Sequence, residues 1–160
     1  MKKQIFLLFL APLILLTGCQ QPGNVQPEMT SLQIQAIQSK EFETKKNVAF
    51  ASVLSVFQDL GYIVSSADKD TGFITASSPT KSTHDWLLTG NKYDSNTKAT
   101  AFVEQLRPGY TKIRLNFVVT NKTSSAWGQK SEADKPITDP KVYQNAFAKI
   151  GDAIFIRSGS

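Results

Sequence analysis

The chain is predicted to fold as an α+β domain, an antiparallel sheet of about five strands with two helices on one face, in the order β-α-β-β-β-β-α. Three observations carry that expectation. Two helix-length segments repeat apolar residues at i, i+3, i+4 and i+7. Several shorter segments alternate apolar and polar residues with a period of two. The shorter segments follow one another across turn signals instead of alternating with helices, which favours hairpins and segregated helices over a parallel sheet.

Ile34–Glu43 (IQAIQSKEFE) reads as the first strand. Lys45–Leu60 reads as a helix, with Phe50, Val53, Leu54, Phe57 and Leu60 on one face, Thr44 to cap its start and Gly61 its end. Tyr62–Ala67 and Phe73–Ser77 form a hairpin across Asp68-Lys69-Asp70-Thr71-Gly72. Pro79–Asn96 is the longest irregular stretch. Thr97–Leu106 and Thr111–Asn121 form a second hairpin across Arg107-Pro108-Gly109-Tyr110. In its second strand Ile113, Leu115, Phe117 and Val119 alternate with Lys112, Arg114, Asn116 and Val118, giving one buried face and one wetter face that carries Lys112 and Arg114. Asn121–Ile137 reads as a polar loop. Thr138-Asp139-Pro140 opens the last helix, whose apolar side is Tyr143, Phe147, Ile150 and Ile154 beside Ala146 and Ala153.

The first eighteen residues stand apart from this domain. Lys2 and Lys3 precede a twelve-residue apolar run, Ile5–Leu16, broken only by Pro12. That run suits a signal-peptide core and is too short to span a bilayer. Leu16-Thr17-Gly18-Cys19 resembles the bacterial lipobox. The resemblance implies cleavage between Gly18 and Cys19 and acylation of Cys19. Two or more chains make attachment durable, at about 0.8 kcal/mol per buried methylene. Gln20, where inner-membrane lipoproteins carry Asp, implies a lipid-anchored protein at the outer membrane, on its periplasmic face. Residues 19–35 are then an acylated Cys and a flexible tether, with a root-mean-square span of roughly 20–24 Å, and 36–160 the single folded domain.

Composition narrows the function classes. Without residues 1–18 the chain has 142 residues, and losing Lys2 and Lys3 takes its charge from +5 to +3. That mild excess does not argue for nucleic acid. A hydrophobic content of 41 % is too high for a disordered chain. One Cys excludes an intrachain disulfide, and one His excludes a two-histidine zinc motif. No metal and no cofactor are expected.

Gln58-Asp59-Leu60-Gly61-Tyr62-Ile63, Ala67-Asp68 and Gly72-Phe73-Ile74-Thr75-Ala76-Ser77 resemble a family of proteobacterial outer-membrane lipoproteins of unassigned activity. So does Ile137-Thr138-Asp139-Pro140-Lys141-Val142-Tyr143-Gln144-Asn145-Ala146-Phe147-Ala148-Lys149-Ile150. The helix-then-hairpin unit is more loosely similar to BamC-type helix-on-sheet domains of the outer-membrane assembly machine. These resemblances imply an outer-membrane lipoprotein and no activity.

Chemistry-bearing residues are sparse. His84-Asp85 is the one His/carboxylate neighbour pair, with Ser77, Ser78 and Ser82 nearby, but no Gly-x-Ser-x-Gly elbow accompanies it. Asp68-x-Asp70-x-Gly72 begins like a calcium loop but has Phe73 at the sixth position and Pro79 at the twelfth, where Gly and Glu are needed. Partner-contact candidates are Trp127 and Trp86, set among small polar or loop residues, with Tyr93, Lys112 and Arg114. Each Trp either anchors a partner or folds back as a lid on the sheet. The expectation is a non-enzymatic envelope lipoprotein acting as an interaction or structural module, such as a component of an outer-membrane assembly or secretion complex. Its partners are the bilayer, through Cys19, and other envelope proteins. The alternatives are a small lipid or apolar-ligand carrier, binding between helices and sheet, and an envelope hydrolase using the 79–96 loop.

Overall fold

In the computed structural model, which describes residues 29–85 and 90–159, three helices and seven strands succeed one another. They are α1 (Ser31–Gln38), β1 (Ser39–Glu43), α2 (Lys46–Asp59), β2 (Ile63–Asp68), β3 (Phe73–Ser77), β4 (Lys81–Asp85), β5 (Asn91–Arg107), β6 (Tyr110–Ser124), β7 (Lys130–Pro136) and α3 (Pro140–Ser158). The α+β class and the antiparallel sheet stand as expected, with seven strands instead of about five and three helices instead of two. Cys19, Gly18 and Trp86 lie outside the described residues.

The sheet is organised by its two longest strands. β5 has 17 residues and β6 has 15, and they pair from Lys92 opposite Ser124 to Arg107 opposite Tyr110. Each is long enough to take two partners on its outer edge. The first half of β5 pairs with β4 and the second with β3, which in turn pairs with β2. β6 pairs with β1 near its start and with β7 near its end. The sheet therefore has a core half, β1-β6-β5-β3-β2, and an extension built from β4, β7 and the distal parts of β5 and β6.

α2 and α3 lie together on one face of the core half. Their large side chains, Phe57, Tyr143 and Phe147 among them, meet small inward residues of the sheet, Ala76, Ala99 and Ala101. That large-on-small match lets helix and sheet interdigitate at interior density. Phe117 is ringed by Phe57, Tyr62 and Tyr143, with centroids 5.4–6.3 Å away. The helix–sheet interface is thus filled by side chains, and the carrier reading that placed a ligand there has no support in it.

Local signals explain most boundaries. Gly61, at φ +81°, ends α2: its N–H donates to Gln58 O and that of Tyr62 to Phe57 O, a Schellman motif. α3 starts on Asp139, whose carboxylate accepts from Lys141 N, with Pro140 in the first turn. In the β2–β3 turn Asp68 Oδ1 accepts from Asp70 N and Thr71 N, so its carboxylate is spent on the turn itself. Those bonds, with the Thr71 hydroxyl first, hold the Asp68 carboxyl below its ordinary range.

Four expectations need correction. Residues 31–38 are helical, so the first strand is only Ser39–Glu43, and residues 31–35, expected in a flexible tether, belong to α1. Thr30 and Gln33 form a capping box there, with Gln33 N donating to Thr30 Oγ1 and Thr30 N to Gln33 Oε1. Thr44 is not the cap of α2: Lys45 is, without a side-chain bond, and Thr44 is buried with its carbonyl accepting from the Thr111 hydroxyl at 2.8 Å. The irregular stretch 79–96 contains β4 and the start of β5. The polar loop 121–137 contains the end of β6 and all of β7. β7 (KSEADKP) is exposed at every position, so it has no buried face to announce in its sequence. Main-chain pairing to β6 holds it instead.

Candidate functional site

The sheet face opposite α2 and α3 is where exposed apolar and charged groups meet. Antiparallel pairing sets its rows. Asp68, Phe73, Phe102, Arg114 and Ser39 occupy successive partner positions across β2, β3, β5, β6 and β1. One row further, Ser66, Thr75, Thr100 and Asn116 align, and on the other side Glu104, Lys112 and Glu41. Phe73 stacks on Phe102 with centroids 4.6 Å apart, and its side of the pair remains 55 % exposed. The rings are tilted by 31°, and aromatic pairs at such distances are worth about 0.5–1.5 kcal/mol beyond area burial, so the pair is a preformed platform.

The N-terminal helix α1 flanks this face. Gln38, at its last turn, is 5 % exposed and sits where β6 passes from β1 to β7. Its Nε2 donates to Asn116 Oδ1 and to the Tyr143 hydroxyl, and its Oε1 accepts from Arg114 Nη2, each at 3.4 Å. Tyr143 in turn donates to Ile137 O at 2.8 Å. One buried amide thereby ties α1 to the open face and to α3. Two adjoining grooves of about 520 and 560 Å³ run between α1 and the sheet and share Phe102 and Arg114 as floor. The first is lined also by Leu32, Glu41, Glu104 and Lys112, the second by Ile34, Phe73 and Pro136. Among the described residues the ion pairs are Lys92–Asp94 at 2.8 Å and Lys122–Glu132 at 3.3 Å, and neither Lys112 nor Arg114 enters one.

Of the residues singled out in the sequence, Lys112 and Arg114 fall at this groove. Trp127 and Tyr93 do not. Trp127 is 92 % exposed in the β6–β7 turn, beyond Ser124, which itself lies about 34 Å along β6 from Arg114 at 3.4 Å per strand residue. Tyr93, 41 % exposed, lies in the extension opposite Thr83 and Thr123. The lid alternative for Trp127 is thereby excluded. Phe73, Phe102 and Gln38 were not singled out. Phe73 was legible: in FITAS, burying Ile74 and Ala76 obliges Phe73 to face outward. Phe102 and Gln38 acquire their roles only from register.

Among the described residues the hydrolytic constellation is not assembled. His84 and Asp85 are consecutive on β4 and so point to opposite faces. Ser82 Oγ donates to Asp94 Oδ1 at 2.5 Å, and Ser78 Oγ donates to Pro79 O while accepting from Thr97 N. Asp94 is held below the ordinary carboxylate range by its bond from Lys92 first, then by Ser82. That is a structural carboxylate serving a strand pair.

No protein-family model matches the chain, and no curated protein matches it. Among solved structures it is similar to a TBP-like protein from Parabacteroides distasonis, at 17 % sequence identity and a TM-score of 0.37, over 72 % of this chain and 90 % of that one. Likeness at that level carries nothing about function. Among the described residues no helix is long and apolar enough to cross a membrane.

Proposed function

We propose that the chain is a lipoprotein anchored through acylated Cys19 to the periplasmic face of the outer membrane, and that its domain is a non-enzymatic interaction module. Its docking site is the open sheet face, and its partner is an envelope protein offering an acidic segment with apolar side chains, as in an assembly or secretion complex. The observation that carries this reading is an exposed Phe73, stacked on half-buried Phe102, beside an Arg114 that no described carboxylate neutralises. Apolar area supplies affinity, while an unpaired guanidinium selects a carboxylate in a defined orientation. The signal-like leader and the resemblance at Leu16-Thr17-Gly18-Cys19 supply the location.

The test is photocrosslinking in intact cells. A benzophenone amino acid at position 73 is expected to capture a discrete envelope protein, and Arg114→Glu to abolish that adduct. The same probe at exposed Lys149, on the outer side of α3, serves as control. Identical adducts at positions 73 and 149 refute the docking face.

A further inference from the structure

The helix that walls both grooves is held to the domain by little. Gln38 is the one buried residue of α1, Ile34 and Ile37 are half-buried, and Leu32, which lines the first groove, is 78 % exposed. A helix of eight residues is marginal by itself, since isolated helices persist only from about 12–15 residues. The capping box starts it, and its seat against β6 and α3 must supply the rest. Gln38 fastens that seat with three bonds of 3.4 Å, longer than the usual range of about 2.7–3.2 Å. Lifting α1 leaves the core satisfied. The Tyr143 hydroxyl keeps its 2.8 Å bond to Ile137 O, while exposed Arg114 and half-buried Asn116 turn to water.

We propose that α1 is a movable arm of the docking site, coupled to it through Gln38: seated, it completes the grooves and orients Arg114, and an occupant of the grooves clamps it down. The proposal rests on the docking face inferred above and adds how that face is regulated. A guanidinium carries five N–H donors in one rigid plane. The bond from Arg114 Nη2 to Gln38 Oε1 engages one donor and restrains the plane. A carboxylate in the groove can still take two parallel N–H bonds from those that remain. The amide oxygen has no net charge, so Gln38 positions Arg114 without neutralising it.

Leu32 and Ile34 set the sign of the coupling. Leu32 gains little from a seated α1, because water covers most of it in either position. A segment lying in the groove removes that water, and the gain is then lost if α1 lifts. Ile34 stands in the same relation to Phe73 and Phe102 in the second groove. An apolar segment reaching from α1 to the aromatic pair touches arm and sheet together and holds them closed. Linkage makes the effect reciprocal: whatever seats α1 tightens the occupant by the same factor. The apparent affinity then falls with the fraction of chains in which α1 is seated.

Hydrogen exchange on the acylated full chain in detergent micelles reads the seat without a partner. The amides of residues 34–38 are expected to exchange about 100-fold or more faster than those paired between β5 and β6. Equal protection overturns the movable arm. Gln38→Met keeps the side chain's length and removes its bonds. It is expected to speed exchange at residues 34–38, to leave the denaturation midpoint of the core near wild type, and to cut the crosslink from a benzophenone at position 73 by about tenfold with Arg114 intact. Unchanged exchange removes Gln38 as the fastening. A benzophenone at position 32 is expected to capture the same adduct as one at position 73. Faster exchange with an undiminished position-73 adduct, or an adduct at position 73 and none at position 32, overturns the coupling while the docking face stands. No adduct at position 73 in the otherwise wild-type chain ends the docking reading, and the coupling with it.

Discussion

Gly72→Ala is the most informative single perturbation of this fold. Gly72 closes the β2–β3 turn at φ +85°, and its carbonyl accepts from Val103 N at 2.9 Å. A Cβ added there lies 2.2 Å from Val103 O and 3.2 Å from Val103 C. Both obstacles are backbone, so no rotamer change relieves them. The left-handed conformation costs an L-residue about 1–2 kcal/mol, and forcing extra volume into a packed site adds about 1–3 kcal/mol. A loss of roughly 2–5 kcal/mol follows, a large part of the 5–15 kcal/mol that holds a domain together. Gly109→Ala separates the two components: Gly109 has φ +80° and nothing within 4 Å of its Cβ position, so only the conformational cost of about 1–2 kcal/mol applies. Chemical denaturation of wild type and both variants reads the difference directly. Phe73 is the next residue, so Gly72→Ala is also expected to weaken the crosslink from the open face. Equal losses for the two glycine variants would refute the close approach of Gly72 to β5.

Three further outcomes are expected. Ser52 is fully buried in α2 and its hydroxyl has no hydrogen-bond partner among the described residues; Ser52→Ala should stabilise by about 1 kcal/mol, read as a higher denaturation midpoint, and a lower one contradicts the burial. Asp94 has a folded-state pKa depressed by Lys92 and Ser82, so its stabilising contribution is complete above the unfolded value of about 3.9 and disappears as pH falls through the depressed one. Carboxyl NMR should show it titrating below an ordinary Asp and returning toward that range in Lys92→Ala; no movement on that substitution rules out the pairing. Cys19→Ser should shift the protein out of the membrane fraction, and fractionation unchanged from wild type removes the anchor.

Much of the core half was legible in the sequence because its signals are local. A helix burying one stripe must repeat at 3.6 residues, which exposed Phe50, Val53 and Phe57 in α2 and Tyr143, Phe147 and Ile150 in α3. Gly61, Asp68, Gly72 and Asp139-Pro140 mark ends and turns through their own backbone chemistry. β3 and β6 declare themselves by alternation because each has one face on the core. α1 escaped because a short segment with Ile34 and Ile37 suits helix or strand alike, and a single capping box decides between them. β4 and β7 escaped because neither buries a face, so neither needs an apolar residue at any position.

Periodicity along the chain determined which side of each core element is buried, and hence that Lys112 and Arg114 share the wetter side of their strand. What stands beside them was decided only by tertiary structure. The meeting of Phe73, Phe102 and Arg114 depends on the register of three strands. The wall of the groove depends on how α1 sits against the sheet, and the position of Trp127 on two strands that bury no face and are held by main-chain bonds to longer neighbours. Such pairings are made through groups common to every amino acid, so the sequence of either partner carries no mark of the other.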